Sequence, residues 1–194
     1  MTDPPPLRGY YFPEEENMTV DIRSIQAPLR EGFKRDPSSA NIELTVASST
    51  SELADPLHCA IAPESVDDVV WRSGAHAAVG GAGDVPCSAD LLLGALAACQ
   101  ETTLRMVAAN LGIELEALEV RVTGDWDPRG TLAMGKEFPI GLKAIHCTTS
   151  VSVKGDVQGE RAERFLKSAE KYCVVLNTLR NGVPVDSTFN IGPA

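Results

Sequence analysis

The stretch from Ser88 to Val107, SADLLLGALAACQETTLRMV, constrains this chain more than any other. Its first half is almost wholly apolar, and a helix that is apolar all round belongs in an interior. Ser88 offers an N-cap, and Asp90 places a carboxylate in the first turn, where the helix dipole favours it. Gly112 is a good residue to follow the last turn, so the helix is predicted to run to about Asn110. That is roughly 22 residues, or about 33 Å at about 1.5 Å per residue. The run Leu91–Cys99 is far shorter than the roughly 20 residues needed to cross a bilayer. The helix is therefore predicted to be a core element, and at its centre sits a thiol, Cys99.

A chain of 194 residues is long enough to wrap one good core around such a helix. Residues 1–20, with Pro4-Pro5-Pro6 and Glu14-Glu15-Glu16, show no periodicity and read as a flexible arm ahead of a single domain over 21–194. Pro28 and Asp36-Pro37 are expected to bracket a short helical piece. NIELTVASS alternates at Ile42, Leu44 and Val46, which predicts a strand with one buried face. LHCAIA and DDVVWR read as two more strands, making an antiparallel meander. AHAAVGGAGDVPC reads as a loop that passes close to something.

After the long helix, LEALEVRVTGDWD and HCTTSVSVKG each alternate as strands. A second long helix is predicted over roughly Gly159 to Arg180, with Phe165, Leu166, Ala169, Tyr172, Cys173 and Leu176 on one stripe. VPVDSTFNI then reads as a closing strand. Strands, helix, two strands, helix, strand is an α+β order, not an alternating β/α one.

Seventeen basic against 27 acidic residues give a formal charge of −10. A field of that sign repels phosphates and anionic lipid, so neither nucleic acid nor membrane is expected as a partner. The start MTDPPPLRGYYFPEEEN has neither a basic nor an apolar signal region, so a cytoplasmic location is expected. The five cysteines (59, 87, 99, 147 and 173) include no CxxC pair, which argues against a disulfide framework. His58-Cys59 and His146-Cys147 lie on predicted strands, where neighbours face opposite ways and cannot chelate one metal. Cys87 precedes the helix by about 18 Å of axial rise from Cys99 and reads as a loop residue. His76 reads as a solvated loop histidine, and the GGAG run lacks the rest of a phosphate loop.

Cys99 and Cys173 remain, each on the apolar side of a predicted helix. Redox chemistry needs a thiolate, made by a nearby cation, a hydrogen-bond donor or a helix N-terminus. Neither cysteine stands at the start of its predicted helix, so a side chain, with Arg the obvious type, is expected to supply the activation. Burial as a small hydrophobe is the plainer role for either residue.

PCSADLLLGALAACQETTLRMVAANLGIELEALEVRVTGDWDPRG, followed by SAEKYCVVLNTLRNGVPV, resembles the OsmC/Ohr family, and within it the YhfA-like branch. The resemblance covers roughly residues 40 to 190. It implies an OsmC-like fold: antiparallel sheets with two long central helices, in an intertwined homodimer. It also implies a thiol-dependent peroxidase of organic hydroperoxides, recycled by a dithiol or a lipoylated protein and needing no cofactor. Cys99 would then be the peroxidatic thiol and Cys173 the resolving one. Active members carry a Glu ten residues before the first cysteine, where it orients a thiolate-supporting Arg. Position 89 is Ala, with Asp90 one step on, and the candidate arginines are Arg30, Arg35 and Arg72. Val174 replaces the family's proline after the second cysteine, so an unbroken helix is expected there. A second reading stays open: a non-catalytic protein of this fold that binds an apolar ligand or senses oxidants through its thiols.

Overall fold

The structure is a computed structural model that describes residues 20–49 and 52–192. The arm expected over 1–20 lies outside these residues, Val20 excepted.

The first helix, α1, spans Ile22–Arg35. Asp21 caps it by accepting from the N–H groups of Arg23 and Ser24, at 3.1 and 3.2 Å. Pro28, expected as a boundary, lies inside it. The helix is exposed, so the Ser24 carbonyl that loses its partner can turn to water. Arg23 reaches across to the Asn110 carbonyl and ties α1 to the end of the long helix.

Three short strands follow: β1 (Val46–Ser48), β2 (His58–Pro63) and β3 (Trp71–Gly74). They form the expected antiparallel meander, with Ala47 opposite Ala62 and Cys59 opposite Ser73. The expected buried face of the first strand is absent. Ile42 and Leu44 fall outside β1 and are 71% and 81% exposed, and Val46 is exposed too. Among the described residues nothing covers these side chains.

The Gly-rich loop crosses itself: a Cβ on Gly81 would lie 1.7 Å from the Ala75 carbonyl oxygen, so only glycine fits. The loop delivers the chain to α2 (Ser88–Leu111), which is 24 residues long. Its N-cap is Cys87 rather than Ser88, and Asp90 accepts from the Cys87 N–H at 2.8 Å. Gly112, left-handed at φ 62°, ends the helix as expected.

β4 (Leu115–Asp125) and β5 (Ala144–Val153) pair antiparallel, with Leu118 opposite Val151 and Val122 opposite Cys147. A one-turn helix, α3 (Pro128–Thr131), sits in their connection. The core lies between this sheet and the helices. Leu104, Ala108, Ile113, Phe165 and Ala169 are buried together, with Leu118, Val151 and Val153 packed against them.

The second long helix is in fact two: α4 (Gly159–Tyr172) and α5 (Val174–Asn181), broken at Cys173. Of its predicted stripe, Phe165, Ala169 and Cys173 are buried, whereas Leu166 and Tyr172 are exposed. The predicted last strand is also not formed. Residues 183–192 make no ladder, and Val183, Val185, Phe189 and Ile191 are exposed. A strand exists only when paired, and among the described residues the segment has no partner. The architecture is α+β with antiparallel sheets, carrying one long helix and one broken helix in place of two long ones. Among the described residues no helix is long and apolar enough to cross a membrane.

Candidate active site: a cysteine pair at a helix joint

The break at Cys173 builds the site. Cys173 has an extended backbone, φ −73° and ψ 106°, and so serves as the N-cap of α5. The first N–H groups of a helix have no intrahelical partner and carry the positive end of its dipole. Here those groups, from Val174 and Val175, act on the sulfur of Cys99. The sequence reading placed neither thiol at a helix start. The structure corrects this: Cys99 stands at mid-helix in α2 but before the N-terminus of α5.

Asn177 holds the joint. Its side-chain amide donates to the carbonyls of Cys173 at 2.8 Å and Lys171 at 3.0 Å, with a longer contact to Glu170. Its backbone N–H also reaches the Cys173 carbonyl, at 3.1 Å. One residue thus satisfies carbonyls that the end of α4 would otherwise leave orphaned. Arg180 of α5 pairs with Glu170 of α4 at 2.8 Å, an exposed contact of small energetic weight. An Asn in an apolar stripe, four residues after a cysteine, is the one trace of the joint that the sequence carries.

Both cysteines are free, and each acts on the ionisation of the other. Burial alone would raise the half-buried Cys99 thiol. The Val175 N–H, the Cys173 thiol, the Thr103 hydroxyl and the Val174 N–H together hold it below its ordinary value. Cys173 is fully buried, and burial pushes it up to about 11, with the adjoining Cys99 adding to the rise. The pair is therefore asymmetric: Cys99 gives up its proton more readily than Cys173. This is the asymmetry needed between an attacking and a resolving thiol.

The expected side-chain activators lie elsewhere in this chain. Asp90 is spent on the first turn of α2, nine residues and about 13.5 Å of helix from Cys99. Arg30 donates to Gln26 at 2.8 Å and Arg35 leans on the Glu31 carbonyl, both on the exposed face of α1. Arg72 is exposed on β3, where its charge acts on Asp84. The strongest groups on Cys99 are backbone N–H, thiol and hydroxyl donors, not a guanidinium.

Other candidates are distributed around the pair. Cys59 is exposed on β2, and Cys87 is buried at the helix N-cap. His76 accepts from the Ala78 N–H and packs edge-on against Trp126, so it is a structural loop residue. His58 lies between two carboxylates, Asp55 at 2.7 Å and Asp84 at 3.1 Å, and they raise its pKa. His146 points away from Cys147, toward Asp125 at 3.8 Å. Among the described residues no group of three metal-ligating side chains converges.

A cleft of about 570 Å³ opens beside the joint, walled by Leu96, Leu142, Ile145, Leu176 and Leu179. Gln100, Cys147 and Arg180 also line it. Gln100 is buried, and its Oε1 has no hydrogen-bond partner.

The family model described as OsmC-like protein matches residues 81–188 of this sequence. Solved structures share the fold. An OsmC-like protein from Mycoplasma pneumoniae is 18% identical with a TM-score of 0.57, over 73% of this chain and 90% of that one. An OsmC-like protein of unknown function from Vibrio cholerae is 10% identical with a TM-score of 0.57, over 71% and 94%. An organic hydroperoxide resistance protein from Elizabethkingia anophelis is 14% identical with a TM-score of 0.51, over 74% and 91%. No curated protein matches the sequence. Such low identities speak to fold and leave chemistry to the site itself.

Proposed function

The chain belongs to the OsmC-like family, and from that premise we propose that it is a thiol-dependent peroxidase acting on organic hydroperoxides. The observation that carries the proposal is the pairing of a lowered thiol, Cys99, with a raised one, Cys173, at the N-terminus of α5. The Cys99 thiolate attacks the terminal oxygen of the hydroperoxide. The O–O bond breaks, the alcohol leaves with a proton from solvent, and Cys99 becomes a sulfenic acid. Loss of the charge on Cys99 removes one cause of the high Cys173 pKa. Cys173 then attacks the Cys99 sulfur, forming a disulfide and releasing water. A dithiol or a lipoylated protein returns both thiols to the reduced state.

The protein works as a homodimer in this reading. The support is the apolar surface that one chain leaves open: Ile42, Leu44 and Val46 around β1, and Val183, Val185, Phe189 and Ile191 at the end. Exposed apolar area on this scale marks an interaction surface. The Ala at position 89 does not stop the chemistry, because α5 supplies the stabilisation that a Glu-oriented Arg would give.

The test is consumption of cumene hydroperoxide with a dithiol, wild type against Cys99→Ser. The wild type should turn over and the variant should match the uncatalysed rate. Equal rates for the two would end the peroxidase reading.

A further inference from the structure

We propose that the aromatic and acidic segment Tyr10–Glu16 folds back along α1 and covers the helix face that the other described residues leave bare.

Helix α1 carries two stripes. Ile22, Ile25, Leu29 and Phe33 recur at i, i+3, i+7 and i+11 and so share one side. Arg23, Arg30 and Lys34 each stand one position past a member of that stripe. They therefore form a basic stripe beside the apolar one, about 100° round the helix. Ile25, Leu29 and Phe33 are 52%, 53% and 39% exposed, and no residue of the helix is buried.

A helix in this state lacks what ordinarily holds one. Fourteen residues are marginal as a helix in water, and most helical stability comes from packing of the apolar face. Pro28 and Gly32, both inside α1, weaken it further. The ties made by the described residues gather at its start. There Asp21 caps it, Arg23 reaches the Asn110 carbonyl, and Ile22 lines a cleft of about 960 Å³ with Met106 and Ala109 of α2. From Ile25 onward the apolar stripe needs a cover.

Position, charge and length select the occupant. The described residues begin at Val20, which lines the same cleft just ahead of the Asp21 cap, so the preceding chain leaves from the foot of the stripe. That preceding sequence is YYFPEEENMT, three aromatic residues followed by three glutamates after Pro13. Against it, α1 sets four basic residues and one acidic one, a cationic strip on a chain whose formal charge is −10. Extended, Tyr10–Glu16 covers about 23 Å at about 3.3 Å per residue, and α1 is about 21 Å long at about 1.5 Å per residue. Reversing over Asn17–Thr19, the segment meets the helix in register. Glu16 arrives near Arg23, Glu14 near Arg30, and Phe12 near Phe33. Tyr10, Phe12, Glu14 and Glu16 share one face of an extended segment, so all four address the helix together.

A second copy of the chain and an anionic lipid surface are the competing covers. The net charge of −10 opposes both. The segment is instead tethered to the helix it covers and acts at a high effective concentration. The family model matches residues 81–188, so both the segment and α1 lie outside it.

Hydrogen exchange of the full-length protein reads the cover directly. Amides from Leu29 to Arg35 should be protected relative to their intrinsic rates. Tyr10→Ser/Phe12→Ser should lower that protection about tenfold or more, while the Leu104–Ala108 amides of the core stay unchanged. Glu14→Arg and Arg30→Glu should each lower it too, and the two together should regain most of the loss. Sodium chloride raised from about 0.01 to about 1 M shortens the Debye length from about 30 to about 3 Å and should weaken the protection. Equal protection of α1 in the wild type and in Tyr10→Ser/Phe12→Ser would overturn the proposal. So would protection that grows with protein concentration, the mark of a second copy. Protection absent from the wild type, or appearing only on addition of phosphatidylserine vesicles, would overturn it as well.

Discussion

The β1–β3 meander and the layer formed by α2, β4, β5, α4 and α5 solve the same problem in opposite ways. The second layer closes its own apolar faces around Leu104, Phe165 and Ala169. The meander does not: Ile42, Leu44, Val46, Val70 and Trp71 face outward. The meander is held to the rest by polar ties at one corner, where Ser73 donates to the Pro86 carbonyl at 3.0 Å and His58 reaches Asp84. A region with its own core can hold two thiols in fixed geometry. A region without one leaves its apolar side chains open.

The largest test of this contrast is in the core. Phe165→Ala should cost about 3–5 kcal/mol in urea unfolding, since a fully buried ring leaves a cavity. Leu44→Asp, on the open meander, should leave that core intact and instead shift a dimer toward monomer in sedimentation. A large loss of monomer stability from Leu44→Asp, with no change in mass, would break the contrast.

Next in size is the joint. Asn177→Ala removes the donors that close the end of α4, at a cost of about 1–3 kcal/mol for the carbonyls left unpaired. It should also raise the Cys99 pKa, because α5 would no longer be fixed against that sulfur. Loss of stability with no change in Cys99 reactivity would make Asn177 a structural residue only. Thr103→Val is gentler. It keeps the shape, removes one donor to Cys99, and should move the alkylation profile of Cys99 upward without unfolding the protein.

The smallest effect lies at the tie between the regions. His58 is raised by Asp84 and Asp55, so its contribution is fully present below the unfolded histidine pKa and is lost as pH rises through its folded value. Asp55 and Asp84 are lowered by their contacts, with His58 among them, and their contribution is lost in acid. Protection of the amides in the loop before α2, taken relative to the intrinsic exchange rate at each pH, should therefore fall on moving from mildly acidic to alkaline pH. His58→Asn should flatten that dependence.

The same contrast explains what could be read in the sequence. The layer with its own core was legible. The apolar run, Asp90 and Gly112 fixed α2 to within a residue or two, and strict alternation fixed β4 and β5. The thiol pair was legible through motif order, since nothing in local pattern brings residues 99 and 173 together. The joint was not. Val174 is compatible with a continuous helix, and the break depends on Asn177 bonding carbonyls of the preceding helix. Without the joint the sequence shows no helix N-terminus near Cys99, which leaves Arg30, Arg35 and Arg72 as the activators it offers. In the meander, alternation at Ile42, Leu44 and Val46 predicts one buried face, but alternation does not by itself supply a surface to bury it, and these side chains are exposed. The closing segment VPVDSTFNI fails for the same reason.

The central claim is that the break at Cys173 makes Cys99 the more acidic thiol of the pair. Alkylation of the reduced protein by iodoacetamide, followed at both cysteines by mass spectrometry across pH, tests it most directly. Cys99 should react with an inflection below the ordinary cysteine value, and Cys173 only near its raised value of about 11. Cys173 reacting first, or both inflecting together at the ordinary value, would contradict the account.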